Sequence, residues 1–85
     1  MKHAGPAAIR TLKPMLGDLR TLDGLIEKKP GVFYRRGRAF LHFHEDPVGL
    51  FADVRLAGDG DFERFRVSTT NERKRFVALV RIGVK

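Results

Sequence analysis

Between Gly24 and Thr69 the apolar residues stop recurring every three or four positions and begin to alternate. No other feature constrains the fold as much. A period of two sends successive side chains to opposite sides of an extended strand, whereas steps of three and four line one face of a helix. Arg38–His44 shows the alternation best, with Ala39, Leu41 and Phe43 on one face and Phe40, His42 and His44 on the other. Leu50–Leu56 repeats it: Leu50, Ala52, Val54 and Leu56 share a face, opposite Phe51, Asp53 and Arg55. Leu25–Lys28 and Val32–Arg36 read as shorter strands divided by Pro30-Gly31. Arg36-Gly37 marks a tight turn into the next strand. Phe62–Val67 is ambiguous and reads as a short edge strand or a loop.

Helical spacing flanks this region. Ile9, Leu12, Leu16, Leu19 and Leu22 form one stripe, and Pro6 suits a first helical turn. Pro14 removes a hydrogen bond and disfavours helix at Lys13, so a kink or a late start is expected there, with Gly24 closing the helix. Thr69 followed by Glu72 fits a reciprocal N-terminal cap, and the helix after it is expected to bury Phe76, Leu79 and Val80. The expected fold is α+β: an antiparallel meander of three to four strands with an N-terminal and a C-terminal helix, one domain over residues 1–85. Ala39, Leu41, Phe43, Leu50, Ala52, Val54 and Leu56 supply the sheet's core face.

A chain of 85 residues buries a thin core, with no room for a large enzyme scaffold and a deep pocket. Catalysis would need a shallow site or an oligomer, so a non-enzymatic role is favoured. Cysteine is absent, which excludes disulfides, thiolate metal sites and thiol chemistry and suits the cytoplasm. The longest uninterrupted apolar run, Phe76–Val80, falls far short of the roughly 20 residues of a membrane span. No apolar stretch follows Lys2 as in a signal peptide. The net charge of +7 favours polyanionic partners. The charge gathers in two places, Arg35, Arg36 and Arg38 around a turn and Arg73, Lys74 and Arg75 on the last helix. Such clusters are ordinarily a solvated surface.

One constellation has chemical promise. Alternation puts His42, His44 and Asp53 on the side of adjacent strands away from the apolar face. In an antiparallel pair whose residue numbers sum to 95, His42 stands opposite Asp53. With a sum of 93, Asp53 lies diagonal to it, still within reach. Two imidazoles at i and i+2 pointing one way are how a strand offers a pair of donors to zinc, iron or nickel, and a carboxylate adds a third ligand or orients a ring. The bland alternative is a pair of half-buried histidines satisfied by Asp53, Glu45 or backbone. The string His42-Phe43-His44-Glu45-Asp46 does not extend to the metallo-β-lactamase pattern, because Pro47 follows where another histidine belongs. The cupin pattern fails at Val48. Asp59-Gly60-Asp61 lacks the spacing of a calcium loop. No phosphate-binding loop, dinucleotide fingerprint or nucleophile elbow is present.

The run Gly37-Arg38-Ala39-Phe40-Leu41-His42-Phe43-His44-Glu45-Asp46, followed by Ala52-Asp53, resembles a family of small bacterial domains labelled "luciferase domain". That resemblance covers Leu25 to Leu56. It implies an α+β domain sharing a His, His and Asp cluster, and it implies no light-producing activity.

Three functions are consistent with these features. The first is a non-enzymatic binding or interaction domain using the sheet face that bears Phe40, Phe51 and Arg55, with a protein, a small ligand or a second copy of the chain as partner. It requires Phe40 and Phe51 to be accessible. The second is a nucleic-acid-binding domain in which Arg35, Arg36, Arg38, Arg55, Arg73, Lys74 and Arg75 contact phosphates while Tyr34 or Phe40 stacks on bases. It requires the basic groups to converge. The third is a metal-dependent or acid–base enzyme built on His42, His44 and Asp53; no cofactor is expected of the chain, a divalent metal being the exception this third function would admit. No membrane partner is expected.

Overall fold

The alternating region folds into a sheet, and the two helical stripes cover it. The computed structural model describes residues 2–57 and 60–84, so Asp59 of the Asp59-Gly60-Asp61 turn lies outside the described residues. The elements in chain order are β1 (Lys2–His3), α1 (Pro6–Arg20), β2 (Ile26–Lys29), β3 (Val32–Arg35), β4 (Arg38–Asp46), β5 (Gly49–Val54), β6 (Glu63–Arg66) and α2 (Thr70–Gly83). Strands β2 to β6 form an antiparallel meander in sequence order, and β1 adds to β4. The fold is α+β, with more strands than the three to four that alternation suggested. Phe62–Val67 contributes an edge strand, and a two-residue β1 joins β4 beyond the end of β3.

Turn chemistry closes the hairpins. Arg36 and Gly37 both have positive φ, 54° and 79°. They form the two-residue left-handed turn whose twist matches flanking strands, with Arg35 paired to Arg38. Between β2 and β3, Pro30 pre-sets its φ and Gly31 follows at φ 78°. A β-carbon at Gly31 would lie 2.7 Å from Ile9 Cδ1, so α1 also packs directly on this turn.

α1 runs unbroken through Pro14, contrary to the expected kink or late start. Pro14 and Arg10, whose carbonyl loses its partner, are both exposed, a position where solvent is available to an unpaired carbonyl. The helix also stops at Arg20 rather than at Gly24. The Thr21 and Leu22 amides bond to Asp18 and Leu19 carbonyls in a tightened turn, and Gly24 at φ 88° redirects the chain afterwards. α2 begins with the expected cap: Thr69 Oγ1 accepts the Glu72 amide at 3.1 Å and Glu72 Oε1 accepts the Thr69 amide at 2.9 Å.

One buried cluster unites the layers. Leu12, Met15, Leu16 and Leu19 of α1 and Phe76, Val77 and Val80 of α2 pack on Phe33, Leu41, Phe43, Ala52 and Val54 of the sheet. Val77 is buried where Leu79 was expected, and Leu79 is half-buried. Among the described residues, no helix is long and apolar enough to cross a bilayer.

Phe40 departs from simple alternation. Phe33 pairs with Leu41 and Tyr34 with Ala39, which leaves Phe40 as the extra residue of a β-bulge. A bulge re-aims the side chain at its position. Phe40 and Leu41, neighbours in sequence, therefore both enter the core, at 2% and 0% exposure. Beyond the bulge, alternation resumes with Leu41 and Phe43 inward and His42 and His44 outward. Glu45, next inward, reaches α1: its Oε2 accepts the Gly5 amide at 2.7 Å, placing a carboxylate at the positive end of the helix.

Candidate functional site

The β4–β5 register follows from the turn between them. Asp46, Pro47, Val48 and Gly49 hold the four positions of a turn in which aspartate is favoured first, proline second and glycine last. Asp46 Oδ1 accepts the Val48 amide at 3.1 Å. Asp46 therefore pairs with Gly49, and the ladder continues at a sum of 95: His42 faces Asp53, Phe43 faces Ala52 and His44 faces Phe51. His42 Nε2 lies 3.5 Å and His44 Nε2 3.3 Å from the same oxygen, Asp53 Oδ2. The donor atoms of the three residues lie within 4.8 Å of one another.

Further groups close around this trio. β6 pairs with β5 so that Arg64 stands opposite Asp53. Its guanidinium grips both carboxylate oxygens, Nε to Oδ1 and Nη2 to Oδ2, each at 2.8 Å. From β1, His3 is paired with His44, and their rings stack at a centroid distance of 4.8 Å. Phe62 packs edge-on against His42, also at 4.8 Å. Arg55 lies 4.2 Å over the Phe62 ring and donates from Nη1 to the Gly60 carbonyl. These neighbours leave the side chains of His42, His44 and Asp53 only 20%, 14% and 9% exposed, although they point away from the helices.

The charge states follow from these contacts. Burial holds both histidines below the ordinary imidazole range. For His42, the neighbouring His44 adds to this and Asp53 partly opposes it. For His44, Asp53 opposes the burial. Both are therefore neutral at neutral pH, the form in which an imidazole has a lone pair to give. The Arg64 hydrogen bonds hold the Asp53 carboxyl below the usual carboxylate range against the cost of burial. The Lys2 carbonyl lies near enough to His44 to favour its protonated form slightly, yet neither His44 nitrogen makes a hydrogen bond of normal geometry. Buried polar nitrogens without a partner are uncommon in folded proteins and call for an explanation such as a bound ion or water.

No known protein family, curated protein or solved structure matches this chain.

The remaining candidate residues do not gather there. Phe40 is a core residue, not part of an accessible face, because the bulge turns it inward. Phe51 is half-buried on the outer face between His44 and Arg66. Arg55 is half-buried and supports Phe62. The basic groups fall into two separate regions. Arg35 donates to the Gly83 carbonyl at one end of α2, and Arg73 donates to the Val67 and Ser68 carbonyls at the other. Arg73 and Gly83 stand ten residues apart along α2, about 15 Å at the rise of an α-helix. Arg36, Arg38, Lys74 and Arg75 are exposed, the first two beside Arg35 and the others beside Arg73.

His3, Phe62 and Arg64 belong to the cluster and escaped the sequence reading. Two residues of β1 carry no period. For Arg64 a signal existed: once Phe62–Val67 is taken as a strand, alternation sets an arginine on the face that bears Asp53.

Proposed function

We propose that this chain is a small metal-binding module that holds a divalent transition-metal ion, zinc before others, between His42, His44 and Asp53. One observation carries the reading. Two imidazole nitrogens sit 3.3 and 3.5 Å from a single carboxylate oxygen, beyond the usual N–H···O range. Donors about 2.0–2.2 Å from a tetrahedral zinc ion stand about 3.3–3.5 Å apart, the spacing of both nitrogen–oxygen pairs, while the two nitrogens lie within 4.8 Å of each other. The donor chemistry agrees, since neutral imidazole and carboxylate suit zinc and its neighbours in a chain without thiolates.

Arg64 supports this reading rather than competing with it. An ionised carboxylate has about four lone-pair positions, and Arg64 occupies two. The guanidinium fixes the carboxylate's plane, as hydrogen-bonded partners of metal-binding carboxylates commonly do. A docking surface centred on Phe40 and a single phosphate-binding patch draw no comparable support, given the burial of Phe40 and the separation of the basic clusters.

Metal analysis of tag-free protein, loaded with zinc and desalted, tests the reading. About one zinc per chain is expected. With free zinc at about 100 times Kd, the gain is about 2.7 kcal/mol, a rise of about 10–20 °C in Tm for a domain of this size. His42→Ala should lose both the bound zinc and the thermal shift. Absence of bound zinc together with an unchanged Tm would overturn the proposal.

A further inference from the structure

The chain has three histidines, two of them neighbours on one face of β4 and the third far away in sequence at position 3, and all three meet. His42 and His44 share a strand face. His3 arrives on β1, opposite His44 in the ladder, where cross-strand β-carbons are about 4.5–5.5 Å apart. The ring centres of His3 and His44 are 4.8 Å apart, those of His42 and His44 4.8 Å, and those of His3 and His42 5.8 Å. Three imidazoles bound to one tetrahedral ion through one nitrogen each would have centres about 5 Å apart, from a metal–nitrogen bond of about 2 Å and the radius of the ring. His3 is exposed, unlike the other two; its donor atoms are not in the 4.8 Å group of His42, His44 and Asp53, so its ring would leave its stack on His44 and turn toward a shared ion.

We propose that His3 is the fourth donor, so that one zinc ion is held by His3, His42, His44 and Asp53. This rests on the metal-binding reading and sharpens it. Four protein donors fill a tetrahedral zinc, leaving no position for an activated water. Such a site binds its ion to hold structure together and supplies no hydrolytic chemistry. What it holds is β1. That strand has two residues, and beyond its ladder with β4 it is held by a hydrogen bond that the Ala4 amide just after it donates to the Phe43 carbonyl and by an ion pair from exposed Lys2 to Glu45. A zinc ion would fasten residue 3 to residues 42, 44 and 53 across three strands.

The test compares wild type, His3→Phe and His42→Ala in tag-free protein, by zinc titration and by hydrogen exchange at the Ala4 amide. His3→Phe keeps an aromatic ring to stack on His44 but offers no donor. The expected result is zinc-dependent slowing of Ala4 exchange in wild type. In His3→Phe, zinc affinity should fall at least about tenfold and the slowing should vanish. Wild-type affinity and wild-type slowing in His3→Phe would overturn the role of His3, while loss of binding in His42→Ala would leave the three-residue site standing. A wild-type protein that binds no zinc would overturn both.

Discussion

Replacing Phe40 and Phe51 by leucine, one at a time, separates the bulged strand from a simply alternating one. Strict alternation puts both rings on the outer face and predicts similar, small effects. The bulge puts Phe40 in the core at 2% exposure and leaves Phe51 half-buried. Truncating a buried phenylalanine to alanine costs about 3–5 kcal/mol. The whole stability of an 85-residue chain is about 4–13 kcal/mol at the usual value per residue. Alanine could therefore unfold the protein, and leucine is the better probe. It keeps most of the apolar volume but leaves a gap where the ring edge was, for about 1–2 kcal/mol. With a urea m-value near 1 kcal/mol/M, the unfolding midpoint should fall by about 1–2 M with m unchanged. Phe51→Leu should cost no more than about 0.5 kcal/mol, since much of that ring already meets water. Urea unfolding followed by circular dichroism measures both. Equal shifts, or a larger one for Phe51→Leu, would show that Phe40 is not in the core and that the bulge reading is wrong.

Gly31→Ala should destabilise by about 1–3 kcal/mol, because Gly31 has φ 78° and the new methyl would meet Ile9 Cδ1. Urea unfolding that leaves the midpoint unchanged would contradict that contact. Thr69→Ala removes the acceptor for the Glu72 amide and should cost about 1 kcal/mol, read as a lower Tm in calorimetry. Glu27 accepts from Arg20 and from the Gly31 amide, and the Arg20 hydrogen bond holds its carboxyl below the usual range. A carboxyl with a depressed folded pKa adds stability above its unfolded pKa and loses it as pH falls through the folded one. Glu27→Gln should therefore lower the urea midpoint at pH 7 and have less effect at pH 3, and equal effects at the two pH values would refute the assignment.

Much of the fold was legible because it depends on period. The stripe from Leu12 to Leu19, the alternation of Leu41–His44 and Leu50–Val54, and the cap at Thr69 are local patterns with local causes. The facing of His42 and Asp53 was legible too, as one of two registers. Asp46-Pro47-Val48-Gly49 selects between them, since a sum of 93 would move Pro47 to the third turn position, where proline is disfavoured. Phe40 was misplaced because alternation gives sides but not the residue at which a bulge skips one. Pro14 was overweighted because its cost depends on whether the orphaned carbonyl meets water, which is a tertiary fact. His3 was out of reach, since nothing in a two-residue strand says which edge it will join.

Between the bulge at Phe40 and the turn at Asp46, each residue of β4 serves one layer: Leu41, Phe43 and Glu45 turn to the helices, His42 and His44 away from them. This segment tolerates changes of letter more readily than changes of length. Inserting or deleting one residue would exchange the layers, driving imidazoles into the apolar interior and lifting Glu45 off Gly5. Length variation among descendants of this chain should therefore collect elsewhere, as around the exposed Ala57 and Asp61, while the spacing from Leu41 to Asp46 stays constant.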